Sequence, residues 1–538
     1  MAYTGRYNMS QKMFTKTKIA TSMSLILGAT ALPALSAEKA EEAIEVIEVT
    51  GMRSSIKEST RMKRDASGVV DAISSEDIGK FPDTNLAESL QRITGVSISR
   101  ENGEGKNVTV RGFGGGNNMV TLNGRQMPTA DVFGGGGNGS SGPGASSNAK
   151  RAFDFGNLAS DSIKSVEVYK TGKANLATGG IGATININTL KPLDSEGLVA
   201  SFGAKAINDT TNKEGSDITP ELSGLVSFTD EESVFGVALS FNHSERHSGA
   251  EQVTINNWNI GTWGVNDLYQ LGNNPTTAIT NAPSNGDLYA RPDDIRYSTV
   301  STERVRDNAQ LTLQFAMSDT LIGTLDYTYA NNDIEQRRTE ATSWMSLGGA
   351  ITELEFDNDA TIKTPIFVNT PNSTTSSLGQ DQQYMAQENS LDSIGLNLAW
   401  EASDRLSVNF DVHSSSAESM PSGHKGAAQT AIQIAANTGT GQSYRYDGDI
   451  PTQTLTRPNG LNAEDHSSQI GHIRYADQTT DVDQAKIDLN YEFDNGQIDF
   501  GVEIRSMEMR SRNSTKQLSL GGWGASTPGD ISSDLLSL

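Results

Sequence analysis

The feature that most restricts this chain is a set of paired segments in which apolar residues recur at every second position. Phe235, Val237, Leu239 and Phe241 form one, and Leu321, Leu325, Tyr327 and Tyr329 around Gly323 form another. Leu396, Leu398 and Trp400 are followed at once by Leu406, Val408, Phe410 and Val412. Ile487, Leu489, Tyr491 and Phe493 are followed by Ile498, Phe500, Val502 and Ile504. Side chains alternate across a strand, so each segment has one apolar and one polar face. The connections alternate too. Short ones lie at Thr229–Ser233, Ser318–Thr320, Ala402–Asp404 and Asp494–Gly496, and long polar stretches run roughly over 243–303, 331–390 and 414–480. Outer-membrane barrels have short turns on one side and long loops on the other, whereas a soluble sandwich needs no such asymmetry. Residues 192–538 are therefore predicted to form an antiparallel transmembrane β-barrel. Strands are expected near 198–206, 220–228, 234–242, 308–317, 321–329, 392–401, 405–413, 482–493 and 497–510. Only alternate residues face lipid, so a chain that is 35% hydrophobic satisfies this design.

The first 37 residues hold Arg6, Lys12, Lys16 and Lys18 but no Asp or Glu, then an apolar run from Ile19 to Leu32, then Pro33-Ala34-Leu35-Ser36-Ala37. This is the layout of a secretory signal peptide over residues 1–37, cleaved after Ala37. A short membrane anchor is the rival reading, but the run falls below the roughly 20 apolar residues of a span. Removing the four positive charges takes the net charge from −24 to about −28. Nucleic acid is thus not an expected partner, since binding it needs a basic face. The chain has no cysteine, which excludes disulfides, cysteine zinc sites and thiol catalysis.

Residues 38–68 contain the segment Ile44-Glu45-Val46-Ile47-Glu48-Val49-Thr50 and then a basic linker. The β-branched residues favour a strand. An unpaired strand near a free end can be captured by a partner's sheet edge, although these residues read equally well as the first strand of the next domain. Residues 69–191 read as one α+β domain. Asn85 and Glu88 form a capping box, Leu86, Leu90 and Ile93 give one apolar helix face, and Gly95 stops the helix. Strands follow at 96–99, 108–112, 119–122, 165–169 and 183–187, with turns at Asn102-Gly103 and Asn123-Gly124 and a long Gly/Ser loop over 134–147.

Candidate chemistry is sparse. His243 and His247 are four apart but near a strand end, where surface residues are the simpler reading than a metal site. Gly112 to Gly116 is not followed by a Walker lysine, so it is no phosphate cradle. No nucleophile, base and orienting group can be assembled, and no catalysis, metal or cofactor is expected. Arg111, inside a barrel, would need a carboxylate partner unless it is solvated. The long connections carry Trp258, Trp263 and Trp344, whose faces can stack on sugar rings or aromatic chelators, or anchor at the interface.

The ordered set of motifs resembles the plug domain of TonB-dependent outer-membrane receptors. It runs through the strand at 44–49, Asn85-Leu86-Ala87-Glu88-Ser89-Leu90, Ile93-Thr94-Gly95-Val96 and Val110-Arg111-Gly112-Phe113. Leu122-Asn123-Gly124-Arg125, Ile163-Lys164-Ser165-Val166-Glu167-Val168 and Gly179-Gly180-Ile181-Gly182-Ala183-Thr184-Ile185-Asn186-Ile187 complete it. The resemblance covers about residues 44–191. It implies that residues 44–50 are a TonB box bound by TonB, which works with the ExbB/ExbD energising complex. It implies that Arg111 meets barrel glutamates, and that Asn117, Asn118 and Arg125, with Trp258, Trp263 and Trp344, are candidate solute contacts. It also implies contact with outer-membrane lipid and uptake of a large or scarce solute. The wording Phe81-Pro82-Asp83-Thr84-Asn85-Leu86-Ala87-Glu88-Ser89-Leu90-Gln91 resembles the Caulobacter and Xanthomonas subgroup, which implies an oligosaccharide, with a ferric siderophore as the alternative. A surface adhesin would explain the strands but not the plug motifs.

Outer-membrane transporters with a plugged lumen have 22 strands, and single-chain bacterial barrels have even strand numbers. About nine strands are expected here, and the chain ends Asp534-Leu535-Leu536-Ser537-Leu538 without a terminal aromatic. The expectation is a complete gate with an incomplete barrel that does not close by itself.

Overall fold

The computed structural model describes residues 61, 63–64, 68–74, 85–101, 103–132, 151–160, 163–255, 258–264, 277–344, 351–371, 376–446, 448, 450–457, 460 and 465–519. The expected signal peptide, the strand at 44–50, Phe81–Thr84, the Gly/Ser loop at 134–147 and the residues at 534–538 lie outside them.

The N-terminal domain comprises β1 (Val70–Ser74), α1 (Leu86–Leu90), β2 (Val96–Glu101), β3 (Glu104–Val110), β4 (Met119–Leu122), β5 (Arg125–Gln126), β6 (Ile163–Tyr169) and β7 (Thr184–Thr189). Five strands form one sheet in the order β1-β6-β7-β4-β5, with β4 parallel to β7, and β2–β3 is a separate hairpin. Asn85 caps α1 by accepting the backbone N–H groups of Ala87 (3.1 Å) and Glu88 (3.4 Å). The reciprocal half of the expected capping box is not made. The Glu88 carboxylate instead takes Arg100 of β2 at 2.6 Å, and Asn85 Nδ2 donates to the Gly105 carbonyl at 2.7 Å, so the cap ties α1 to the hairpin. Asn123 and Gly124 both have positive φ (53° and 83°), the geometry of a tight turn between β4 and β5. Leu86, Leu90, Val108, Val110, Phe155, Val166, Val168, Ile185 and Ile187 fill the core.

Downstream come β8 (Gly197–Ile207), β9 (Thr219–Thr229), β10 (Phe235–Thr254), β11 (Trp258–Thr262), β12 (Ala278–Thr280), β13 (Leu288–Pro292), β14 (Asp294–Ser318) and β15 (Leu321–Trp344). They are followed by β16 (Glu353–Phe356), β17 (Pro365–Thr370), β18 (Ser376–Ser403), β19 (Leu406–Pro421), β20 (Gln429–Gly439), β21 (Gly441–Arg445), β22 (Thr452–Thr456), β23 (His466–Phe493) and β24 (Gly496–Ser519). The long strands make an antiparallel wall in which β8, β9, β10, β14, β15, β18, β19, β23 and β24 each pair with the next. Among the described residues β8 and β24 are the two open edges. The nine predicted strands are all present, and each of the four short connections is a hairpin turn. β20 was not foreseen. It continues the line of β19 after a seven-residue excursion, 422–428, that leaves and rejoins the ladder at Ala386.

β8 and β9 match their expected lengths, but from β10 onward the strands are much longer than their alternation indicated. β10 has 20 residues, β14 25 and β18 and β23 28 each. Much of what read as outside loop is ladder. The reason lies on the outward face. Leu239, Phe315, Leu325, Leu396, Trp400, Phe410, Ile487, Phe493 and Phe500 are exposed there, all within about ten residues of a short turn, which matches a lipid-facing band about 25 Å tall. Farther from the turns the outward positions carry Glu251, Thr299, Glu303 and Asp307, so period-2 hydrophobicity disappears while pairing continues. Among the described residues no helix is long and apolar enough to cross a membrane.

The long connections are themselves folded. β12, β16, β17, β21 and β22, drawn from three different connections, form one sheet, and β11 pairs with β13. Tyr289, Ile295, Ile351, Leu354, Phe356, Val368 and Tyr444 are buried together beneath it. Cysteine labelling reads the band directly, because the chain has no cysteine of its own. In lipid membranes, Leu396→Cys is expected to resist a water-borne maleimide and Thr299→Cys to react freely. Equal rates at the two positions would remove the band.

Candidate functional site

The N-terminal domain sits on the polar inner face of the wall, and three features of that face seat it. Midway up, Ala330, Leu391 and Ala417 lie at one register level across β15, β18 and β19. All three are buried in the same cluster as the domain's own core. Small apolar groups at this level let the domain's core reach the wall backbone, while Asn308 and Asn332 donate to the backbone and side-chain oxygens of Asn157 at 3.0 and 2.8 Å.

Nearer the short turns stands Arg125, first residue of β5 and 3% exposed. Its Nη1 donates to both oxygens of Asp326 (2.7 and 2.6 Å), and its Nε and Nη2 donate to Asp411 (both 2.8 Å). One guanidinium thus satisfies two buried carboxylates in fork geometry, the arrangement for which arginine is suited. Gly395 lies between Asp326 and His413 in the register, and a Cβ there would fall 1.9 Å from Arg125 Nη1. The glycine is required because the guanidinium occupies that space.

Farther from the turns the polarity reverses. Glu104, at the start of β3 and 4% exposed, accepts from Arg246 of β10 (3.1 Å) and from Arg304 and Arg306 (2.7 Å) of β14. Arg246 also donates to Asp209 at 2.8 Å. Burial pushes the Glu104 carboxyl up, but Arg304, Arg306 and Arg246 override it and hold it well below its ordinary value. Beside it, Lys106 Nζ meets Glu101 (2.6 Å), Asp131 (2.9 Å) and Asp154 (3.8 Å). Burial pushes that ammonium down, yet the three carboxylates hold it above the usual lysine range.

The predicted site residues fall differently. Arg111, expected against barrel glutamates, has a φ of 51° and donates to the Lys170 and Gly182 carbonyls (the latter at 3.2 Å) within its own domain. The arginine that meets the wall is Arg125, and its partners are aspartates. Arg111 is the turn residue just after β3 and Arg125 opens β5, and charge alone did not separate them. Asn118 is buried and donates to the Val108 carbonyl at 2.8 Å, whereas Asn117 is exposed. Trp263 packs edge-on against Tyr289 (5.4 Å) and Phe356 (5.5 Å) in the core of the folded connections. Trp258 and Trp344 are each 41% exposed, Trp344 with the Arg296 guanidinium 5.8 Å from its ring. The structure does not gather these six side chains into one pocket. His243 meets Asp307 (2.7 Å) and His247 accepts from Ser216 N (2.8 Å). Among the described residues no three His, Asp or Glu are grouped to hold a metal.

Two outcomes follow. Gly395→Ala should expel Arg125 from its carboxylates and cost about 3–5 kcal/mol in a denaturant titration, as loss of one member of a buried ion cluster does. An unchanged midpoint would show that the guanidinium has room to move. For Glu104 the folded value lies below its ordinary 4.5, so its pairing stabilises above pH 4.5 and is lost as pH falls through the folded value. Glu104→Gln should therefore flatten the acid limb of the stability profile by about one proton, about 1.4 kcal/mol per pH unit, and leave its slope above pH 5 unchanged.

Comparison with known proteins gives one family match: residues 62–184 match the TonB-dependent receptor plug domain. A search of curated protein sequences returned no match. Similar solved structures include the siderophore receptor PirA from Acinetobacter baumannii, at 11% identity and TM-score 0.29 over 85% of this chain and 78% of that one. BauA, the ferric preacinetobactin receptor of Acinetobacter baumannii, is 11% identical with TM-score 0.36 over 84% and 60%. The ferric citrate transporter FecA is 12% identical with TM-score 0.28 over 86% and 76%. The chain carries the plug domain of the TonB-dependent receptors, seated against an antiparallel wall of barrel strands.

Proposed function

We propose that this chain supplies the gate and part of the wall of an outer-membrane receptor for energy-coupled uptake, and that its solute is an oligosaccharide. The observation that carries the receptor reading is the seated plug: a domain whose core closes on the inner wall and which buried charge pairs of both polarities hold there. A purely structural barrel or adhesin has no use for such a domain. Residues 1–37 would direct export, and the strand at 44–50 would be taken by TonB, driven by ExbB/ExbD. Solute binding at the long-connection end would free that strand, TonB would pair with it, and its pull would rearrange the plug. About six paired backbone bonds at roughly 1 kcal/mol net each, less the ordering cost, leave a few kcal/mol, enough to transmit a pull and still release.

The inner wall supports the choice of solute. Gln310, Thr328, Asn332, Gln387 and Asn389 are buried there, each with a side-chain polar atom that has no protein partner. Neutral amides and hydroxyls of this kind match the hydroxyl groups of a sugar chain. The subgroup resemblance of residues 81–91 points the same way. A strain lacking the gene should lose growth on particular glycans and keep growth under iron limitation; the reverse pattern would assign a ferric siderophore. Ile47→Pro, which removes a ladder donor, should abolish both uptake and crosslinking to TonB. Survival of both would mean that residues 44–50 are not the box.

A further inference from the structure

Arg246 and Arg304 stand directly opposite each other on β10 and β14, with Arg306 two residues along. Like charges in that position repel, so this part of the wall needs an anion. Glu104 supplies it from the plug. The match is nevertheless incomplete. Three guanidinium groups are hydrogen-bonded to two carboxylates, Glu104 and Asp209, with Asp154 close enough to act on Arg304, and the buried Nε atoms of Arg304 and Arg306 have no hydrogen-bond partner. A cavity of about 40 Å³ borders Glu104 and Arg304, room for a few waters. Glu104 itself is at the tip of the β2–β3 hairpin, beside Gly103 (φ 82°), and the ladder slips register between Ser99 and Arg100 just below. The hairpin around it is held to α1 by Asn85 on the Gly105 carbonyl and by Arg100 on Glu88, so leaving the seat breaks those bonds or turns the Glu104 side chain alone.

We propose that Arg246, Arg304 and Arg306 form a carboxylate seat that Glu104 fills in the closed state and that a carboxylate group of the solute takes in exchange, releasing the hairpin tip. This rests on reading the lumen as the solute's path and adds that the solute is acidic. A guanidinium fork matches a carboxylate two charged bonds at a time, whereas a neutral sugar offers it only uncharged hydroxyl acceptors. The exchange conserves charge at the seat, so opening the plug leaves no arginine cluster bare. Arg125 and its two aspartates, lower in the lumen, keep the domain anchored while the tip moves.

The test is direct binding by the purified full chain in detergent at fixed ionic strength, with galacturonate, citrate and galactose as probes. Galacturonate should bind Glu104→Gln at least about tenfold tighter than wild type, as expected when a competitor that fills the seat more than nine-tenths of the time is removed. Adding Arg304→Gln and Arg306→Gln should abolish that gain, and galactose should respond to none of these changes. Citrate gaining as much as galacturonate assigns the carboxylate to a chelator, and galacturonate gaining alone assigns it to an acidic sugar; either supports the seat. Equal affinity in wild type and Glu104→Gln, or an equal gain for galactose, overturns it. If Glu104→Gln does not fold, Glu104→Asp keeps the charge with a shorter reach and should show a smaller gain in the same order, and no gain there overturns the seat as well. Binding is read without TonB, so its failure is separable from a failure of uptake.

Discussion

Buried charge is the constraint on which the rest of this structure depends. A domain placed inside a barrel cannot leave its ionised groups bare, and it cannot take them to water without leaving the wall. Its solution uses polarity in two tiers. Near the short turns a plug cation, Arg125, lies between the wall anions Asp326 and Asp411. Farther up a plug anion, Glu104, lies among the wall cations Arg246, Arg304 and Arg306. Reversing the domain, or sliding it along the lumen, would bring like charges together. The two tiers fix its height and rotation at once, and the small apolar row of Ala330, Leu391 and Ala417 between them gives the core a surface to close on.

The wall meets two solvents along one ladder. Close to the short turns the outward face is an exposed apolar band of the kind a lipid-facing wall carries; beyond the band the same strands continue with polar outward residues. The inner face is mainly polar, interrupted by the apolar row of Ala330, Leu391 and Ala417. At the far end the connections, which have neither lipid nor lumen to lean on, build their own core around Tyr289 and Phe356. This explains why Trp263, an aromatic on a long polar stretch, serves packing and is not displayed.

Much of the fold was legible in the sequence. Alternation at Phe235–Phe241 or Ile498–Ile504 can satisfy only a strand with two unlike faces, and Asn123-Gly124 can only turn. The alternating lengths of the connections gave the order of hairpins. What alternation could not reveal was the upper part of the long strands from β10 onward, because a ladder in water needs no apolar residue. The break between β19 and β20 was invisible for the same reason.

The functional seat was less legible. Sequence placed charged residues on strands and required that any buried arginine find a carboxylate, but it singled out Arg111 where the structure uses Arg125. Arg125 is separated from Asp326 by 201 residues and from Asp411 by 286, and Glu104 from Arg306 by 202. Such pairs are set by which strands become neighbours and at which register. Local pattern therefore determined the strands, the turns and the plug's own core, since each is decided within a few residues by periodicity and backbone preference. Only the tertiary structure decided which charges meet between plug and wall, because Coulomb energy and desolvation act between groups that lie hundreds of residues apart in the sequence.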